Sequence, residues 1–151
     1  NRFNTILVQG TDNINFTKKN FRVVSKKKPS NELLNKLIFA FNICRNVKSN
    51  AIVITKDYKT VGIGSGQSSR LDSCKIAIDK MKKFQRSTDD DDLLAASDAF
   101  FPFVDGLETL VQAGVTGVIQ PSGSKNDKEI IKFANQTSTV LVFSHTRHFN
   151  H

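Results

Sequence analysis

Residues 51–55, Ala-Ile-Val-Ile-Thr, form a short, continuous apolar run rich in β-branched side chains. Such a run reads as an inner strand buried on both faces, because a half-exposed strand would alternate apolar and polar residues. Residues 57–59 then turn the chain back into a second strand over 60–63, giving a hairpin. Gly62, Gly64 and Gly66 follow at every second position. The third glycine comes one residue too early for the dinucleotide-binding fingerprint, which excludes a Rossmann site. What remains is a glycine-rich strand end feeding a helix at about Ser69, with backbone amides suited to an anion or a polar ligand edge.

The rest of the chain supplies partners for that strand. Pro29 and Ser30 announce a helix, and Leu33, Leu34, Leu37, Ile38, Phe41 and Cys44 repeat at helical spacing through about Asn46. A second helix runs from about Ser69 to Phe84, with Leu71, Cys74, Ile76, Ala77 and Met81 as its apolar members. Beyond it, strands over 93–96, 115–120 and 139–143 alternate with helices over 104–113, ended by Gly114, and from Asn126 or Asp127 through Ala134. Shorter strands are expected over 5–9, before a turn at 10–13, and over 21–24. Alternation of this kind predicts an α/β fold with at least partly parallel pairing and right-handed crossovers. The length of 151 residues fits one domain, and 38% hydrophobic with 24% charged residues is a globular balance.

Residues 97–105, Ser-Asp-Ala-Phe-Phe-Pro-Phe-Val-Asp, are the stretch with the most functional content. Pro102 fixes its own φ and biases Phe101 away from the helical region. Phe100, Phe101 and Phe103 arranged around that kink cannot all be buried on one face. Either the rings plug the core, or some ring lines a pocket or interface and stacks on a flat ligand.

Charge and cysteine usage narrow the classes. The net charge is +8, with Lys18, Lys19, Arg22, Lys26, Lys27 and Lys28 concentrated before Pro29 and an acidic run at 89–92. The basic run is either a solvated surface or an attractor for nucleic acid, phosphates or polyglutamates. No aromatic interleaving supports base stacking. Cys44 and Cys74 lie far apart without a Cys-x-x-Cys pair, which reads as free cytosolic thiols and not as zinc ligands. His145, His148 and His151 recur at a spacing of three, but no carboxylate or cysteine accompanies them. No apolar run approaches the roughly 18 residues of a membrane helix. The first residue is Asn1, not Met, so the expectation is a piece of a longer protein.

Taken together, the motifs carry a resemblance. They are Phe21-Arg22-Val23-Val24, Val47-Lys48-Ser49-Asn50-Ala51-Ile52-Val53, Val61-Gly62-Ile63-Gly64 with Gly66-Gln67, Ser69-Arg70, Ser97-Asp98-Ala99-Phe100-Phe101-Pro102-Phe103, Pro121-Ser122-Gly123-Ser124 and Arg147-His148-Phe149-Asn150-His151. In this order over essentially the whole chain, they resemble the C-terminal half of AICAR transformylase, the folate-dependent part of a bifunctional purine-biosynthesis enzyme that also carries IMP cyclohydrolase. The resemblance implies that residues 1–151 are one three-layer α/β/α unit of cytidine-deaminase-like type with a mixed sheet. It does not imply deamination, since the His-x-Glu and Pro-Cys-x-x-Cys zinc signature is absent.

The resemblance also implies roles. Asn50 would bond the carboxamide side of AICAR, Phe100 would stack on its imidazole, and Asp105 and Arg147 would orient it. Ser69, Arg70, Pro102, Phe103, Phe149 and His151 would line the pocket for 10-formyltetrahydrofolate, and Asp98 would contribute to a potassium site. The implied enzyme is a cytoplasmic homodimer, with no nucleic-acid or membrane partner and no zinc. Its catalytic Lys-His pair lies upstream in the family, so this chain alone is expected to be inactive. Two departures stand out: Val104 replaces a family arginine beside the folate pocket, and Arg45-Asn46 stands where many bacterial members have Lys-His. Two other readings remain open from sequence: a remnant folate or nucleotide-binding module without catalysis, and an RNA-binding protein using the basic run.

Overall fold

In a computed structural model that describes residues 8–10, 14, 16–84 and 92–150, a six-stranded mixed sheet runs through the centre of the chain. The order of elements is β1 (Phe21–Val23), α1 (Asn31–Cys44), β2 (Ile52–Lys56), β3 (Lys59–Gly64), α2 (Arg70–Phe84), β4 (Leu93–Ser97), α3 (Val104–Gln112), β5 (Val115–Pro121), α4 (Asp127–Gln136) and β6 (Val140–Ser144). Across the sheet the strands lie in the order β1-β6-β5-β4-β2-β3. β4, β5 and β6 are parallel to one another, while β1 runs antiparallel to β6 and β2 antiparallel to both β4 and β3. The expected α/β class and mixed sheet are observed.

The apolar run at 51–55 is explained by what lies on each side of it. Every residue of β2 is buried. Ile52 and Ile54 enter the core under α2 and α3, with Cys74, Met81, Leu107 and Leu110. Ala51 and Val53 enter the core under α1, with Leu37, Ala40 and Phe41. Alternate residues of β4 and β6 divide the same way: Leu93, Ala95, Leu141 and Phe143 on one side, Leu94, Ala96, Val140 and Val142 on the other. Covering both faces with helices makes three layers and removes the polar alternation of a half-exposed sheet.

The helix expectations hold with shifted ends. Ser30 caps α1 by accepting from the Leu33 backbone N–H. The apolar periodicity persists to Cys44, two residues short of the expected end. In α2 the sequence pattern names Ile76, whereas Ile78 is the more deeply buried residue and packs with Ala77 and Met81. Gly114 follows α3 at φ +96°, a conformation that suits glycine and ends the helix. β5 extends one residue further than expected, through Pro121, which pairs opposite Ser144. A short 3-10 turn, Lys18–Asn20, had no apolar signature to announce it. The strand expected over 5–9, the turn over 10–13 and the acidic run lie mostly outside the described residues. Of the acidic run Asp92 is described: it is exposed and accepts from the Thr116 hydroxyl.

The glycines at 62 and 64 serve packing. A Cβ at Gly62 would lie 2.1 Å from the Ala77 carbonyl oxygen, and one at Gly64 would lie 1.8 Å from that of Ser73. The backbone of α2 therefore rests directly on the backbone of β3, and only glycine permits that approach. Both thiols are buried, and burial disfavours the thiolate and pushes their pKa up, that of Cys74 to about 12 and that of Cys44 well above its ordinary value. They behave as small apolar core residues.

The close approach of α2 to β3 makes a direct prediction. Gly64→Ala forces the helix off the strand and should lower unfolding stability by about 3 kcal/mol, at the upper end of ordinary overpacking costs. Gly10→Ala, where an added Cβ meets nothing within 4 Å, should stay within about 0.5 kcal/mol of the parent. Urea unfolding of the two variants checks this, and equal stabilities would contradict the backbone contact.

Candidate functional site

A pocket of about 580 Å³ opens at the end of the sheet where β4 delivers residues 98–103. Its wall comes from four separate segments: Asn50 before β2; Ser68, Ser69, Arg70 and Leu71 at the start of α2; Ala99, Phe100, Phe101, Pro102, Phe103, Asp105 and Gly106 between β4 and the first turn of α3; and Arg147 and Phe149 after β6. Two helix N-termini thus face one cavity, and the positive ends of their dipoles favour negative or hydrogen-bond-accepting ligand groups.

The three phenylalanines divide between the two readings left open by the sequence. Phe101 is 1% exposed and plugs the core. Its ring lies where a Cβ at position 106 would come within 2.6 Å, so Gly106 in α3 makes room for it. Phe100 is half-buried on the pocket wall, with the Arg147 guanidinium carbon 4.5 Å above its ring, a cation–π geometry. Phe103 is 63% exposed and stands at the rim, with Phe149 also exposed. The kink that separates them is held from outside, where the Asn126 amide donates to the Pro102 carbonyl.

Beneath the pocket lies a closed polar network. Arg70 and Asp98 form an ion pair with side chains only 9% and 1% exposed. Arg70 also donates to the Ser97 hydroxyl at 3.0 Å and, through its second guanidinium nitrogen, to Asn50 Oδ1 at 2.7 Å. The Asn50 Nδ2 group donates in turn to the carbonyls of Gln67 and Ser68, at 3.0 and 3.1 Å. The other Asp98 oxygen accepts from the Ser49 hydroxyl at 2.6 Å. A buried pair is stable only when its remaining hydrogen-bonding capacity is met in this way.

Asn50, Ser69, Arg70, Phe100, Pro102, Phe103, Asp105, Arg147 and Phe149, singled out from sequence, all line this one cavity. His151 lies outside the described residues. Asp98 is beneath the wall, with each carboxylate oxygen already accepting from Arg70 or Ser49. Arg70 reaches the cavity with a guanidinium largely committed to Asp98, Ser97 and Asn50. Val104 is half-buried against the core under α2 and α3 and is not part of the pocket wall. Of the two described tail histidines, His145 is exposed, whereas His148 is buried with its ring edge-on to Phe16 and Phe41. Among the described residues, no three His, Cys, Asp or Glu side chains gather as metal ligands. Ser49 and Ser97 were missed by sequence reasoning. The one signal for them is position, each being adjacent to a residue already named.

A family model described as the AICARFT/IMPCHase bienzyme matches residues 2–80. The chain belongs to this family. Its relatives include the bifunctional purine biosynthesis protein PurH of Bartonella henselae, 46% identical over 151 residues, and that of Chlorobium luteolum, 44% identical over 146 residues. Each alignment covers 97% of this chain and 28% of the relative, so the chain spans little more than a quarter of the proteins it matches. Among solved structures, the apo dCMP deaminase of cyanophage S-TIM5 matches with a TM-score of 0.45 at 17% identity, covering 75% of this chain and 98% of that one.

The buried pair yields a stability prediction. Arg70→Met keeps the side-chain stem but leaves the Asp98 carboxylate buried without its counter-charge. The variant should lose about 3–5 kcal/mol, the range for breaking one partner of a buried pair. Denaturant unfolding measures it, and a loss below about 1 kcal/mol would show that the pair is not holding the site.

Proposed function

We propose that this chain takes part in purine biosynthesis as the C-terminal unit of an AICAR transformylase, and that its pocket binds AICAR beside 10-formyltetrahydrofolate. The observation that carries this reading is the Phe100–Arg147 pair over a polar floor. Arg147 covers one face of the ring, and a flat heteroaromatic would take the other. Both Asn50 amide hydrogens are committed to Gln67 and Ser68. Asn50 therefore meets a carboxamide through the free lone pair of Oδ1, accepting from the ligand NH2 group. Asp105 and Arg147 offer an acceptor and a donor for further polar edges of the ligand. The exposed rings of Phe103 and Phe149 and the faces of Ser69 and Pro102 suit a broad, partly apolar pterin.

In the proposed reaction the 5-amino group of AICAR attacks the formyl carbon of the folate. The new bond forms between that nitrogen and carbon, the bond from the formyl carbon to folate N10 breaks, and N10 recovers a proton while the amine loses one. The amine is a weak nucleophile, so alignment and proton removal supply much of the rate. No histidine or lysine lines the pocket among the described residues. The resemblance places the proton-transferring Lys-His pair in the upstream unit, and the role of this chain is to bind and orient. A homodimer of the longer protein would cover the exposed Phe103 and Phe149 rings. Potassium, if held beside Asp98, would share its carboxylate with Arg70 and Ser49, each of which uses one lone pair of one oxygen.

The test combines binding with turnover. Isothermal titration should show AICAR binding to this chain, weakened in Phe100→Ala by about 1–3 kcal/mol, the scale for one aromatic stack. Leu37→Ala, which empties a fully buried site under α1, should instead lose about 2–5 kcal/mol of stability with affinity unchanged in the folded fraction. Mixed with AICAR and 10-formyltetrahydrofolate, the chain alone should release no tetrahydrofolate above background. Unaltered affinity in Phe100→Ala would refute the stacking role, and robust turnover would refute the division of labour.

A further inference from the structure

The segment after β6 delivers two pocket residues without belonging to any helix or strand. Along it, the residues alternate. Arg147 and Phe149 line the pocket, while His148 between them is 3% exposed, its ring centroid 5.1 Å from those of both Phe16 and Phe41. Asn150 donates its side-chain amide to the Asn46 carbonyl at 3.1 Å. In an extended chain, neighbours point to opposite sides. The register that anchors residues 148 and 150 is therefore the one that presents 147 and 149 to the cavity, and a slip of one residue would exchange the two sets.

Hydrogen bonds set that register, among them one from the Gln9 side-chain amide to the Phe149 carbonyl. The His148 N–H donates to the Asp98 carbonyl at 3.0 Å, and the Ser49 N–H to the Asn150 carbonyl at 3.0 Å. The Ser49 hydroxyl accepts from the Asn150 N–H at 3.2 Å and donates to Asp98 Oδ2 at 2.6 Å. This one hydroxyl joins the tail to the carboxylate that neutralises Arg70. Ser49 itself is not in the pocket wall.

We propose that Ser49 is a positioning residue: its hydroxyl ties the tail to Asp98 in the register that holds Arg147 over Phe100 and Phe149 at the rim. The ligand assigned to the pocket rests on the transformylase reading above, whereas the tie does not.

Nuclear magnetic resonance reads the tie without any ligand. The ring of Phe100 shifts the Arg147 side-chain protons upfield, and Phe100→Ala marks their position without the ring. Ser49→Ala should move them at least about halfway toward that position. It should also speed amide exchange at His148 and Asn150 about tenfold, the scale of losing one hydrogen bond net of water, with β4 and β5 unchanged. Ser49→Thr, which keeps the hydroxyl, should restore both. AICAR affinity should fall about five- to tenfold in Ser49→Ala alone. Arg147 shifts and tail exchange identical to the parent would overturn the proposal, as would faster exchange throughout the sheet. Responsive tail signals in a parent that binds no AICAR would support the tie and overturn the transformylase reading.

Discussion

The ion pair between Arg70 and Asp98 joins segments that are remote in sequence. Arg70 opens α2, Asp98 follows β4, and through Asn50 and Ser49 the pair reaches the loop before β2 and the tail after β6. Taking two charges out of water costs several kcal/mol per ion, and mutual attraction offsets this only when the remaining donors and acceptors are also met. Here they are met by protein groups from the loop before β2 and the end of β4. Satisfying the pair and closing the pocket floor are thus one event. A half-satisfied network would be worse than an apolar one, which favours a single arrangement of these segments.

The sheet brings the segments together. β4 is parallel to β5 and β6 but antiparallel to β2, and β2 is antiparallel to β3. The C-terminal ends of β3, β4, β5 and β6 therefore share one edge with the N-terminal end of β2. The pocket lies at that edge, where α/β sheets characteristically bind ligands. α2 and α3 follow β3 and β4, so their N-termini open onto it as well. The backbone contact of α2 with Gly62 and Gly64 fixes the helix start that carries Arg70.

Much of this was legible in the residues. The buried run of β2, the stripe of α1 and the break at Gly114 are local signals, and local signals suffice to place elements. The division of labour among Phe100, Phe101 and Phe103 was not readable, because it depends on the space left by Gly106 and on Arg147 arriving from the far end of the chain. The glycine alternation at 62 and 64 suggested a ligand loop, since a sequence does not show which backbone will approach a glycine. Gathering the site residues into one cavity agreed with the family resemblance and not with any spacing rule. Arg70 lines the cavity and also turns its guanidinium inward as the partner of Asp98, a pairing that the residue type alone does not show. Ser49 was invisible for the same reason, as its role exists only once four segments have met.

The central claim, that the Arg70–Asp98 pair acts as one unit holding the pocket floor, is tested most directly by a double-mutant cycle. Arg70→Met, Asp98→Leu and the double variant would be unfolded in urea alongside the parent. The account predicts that the double variant loses less than the sum of the two single losses by about 2–3 kcal/mol, the coupling expected of contacting residues in one network. Losses that add to within about 0.5 kcal/mol would contradict it.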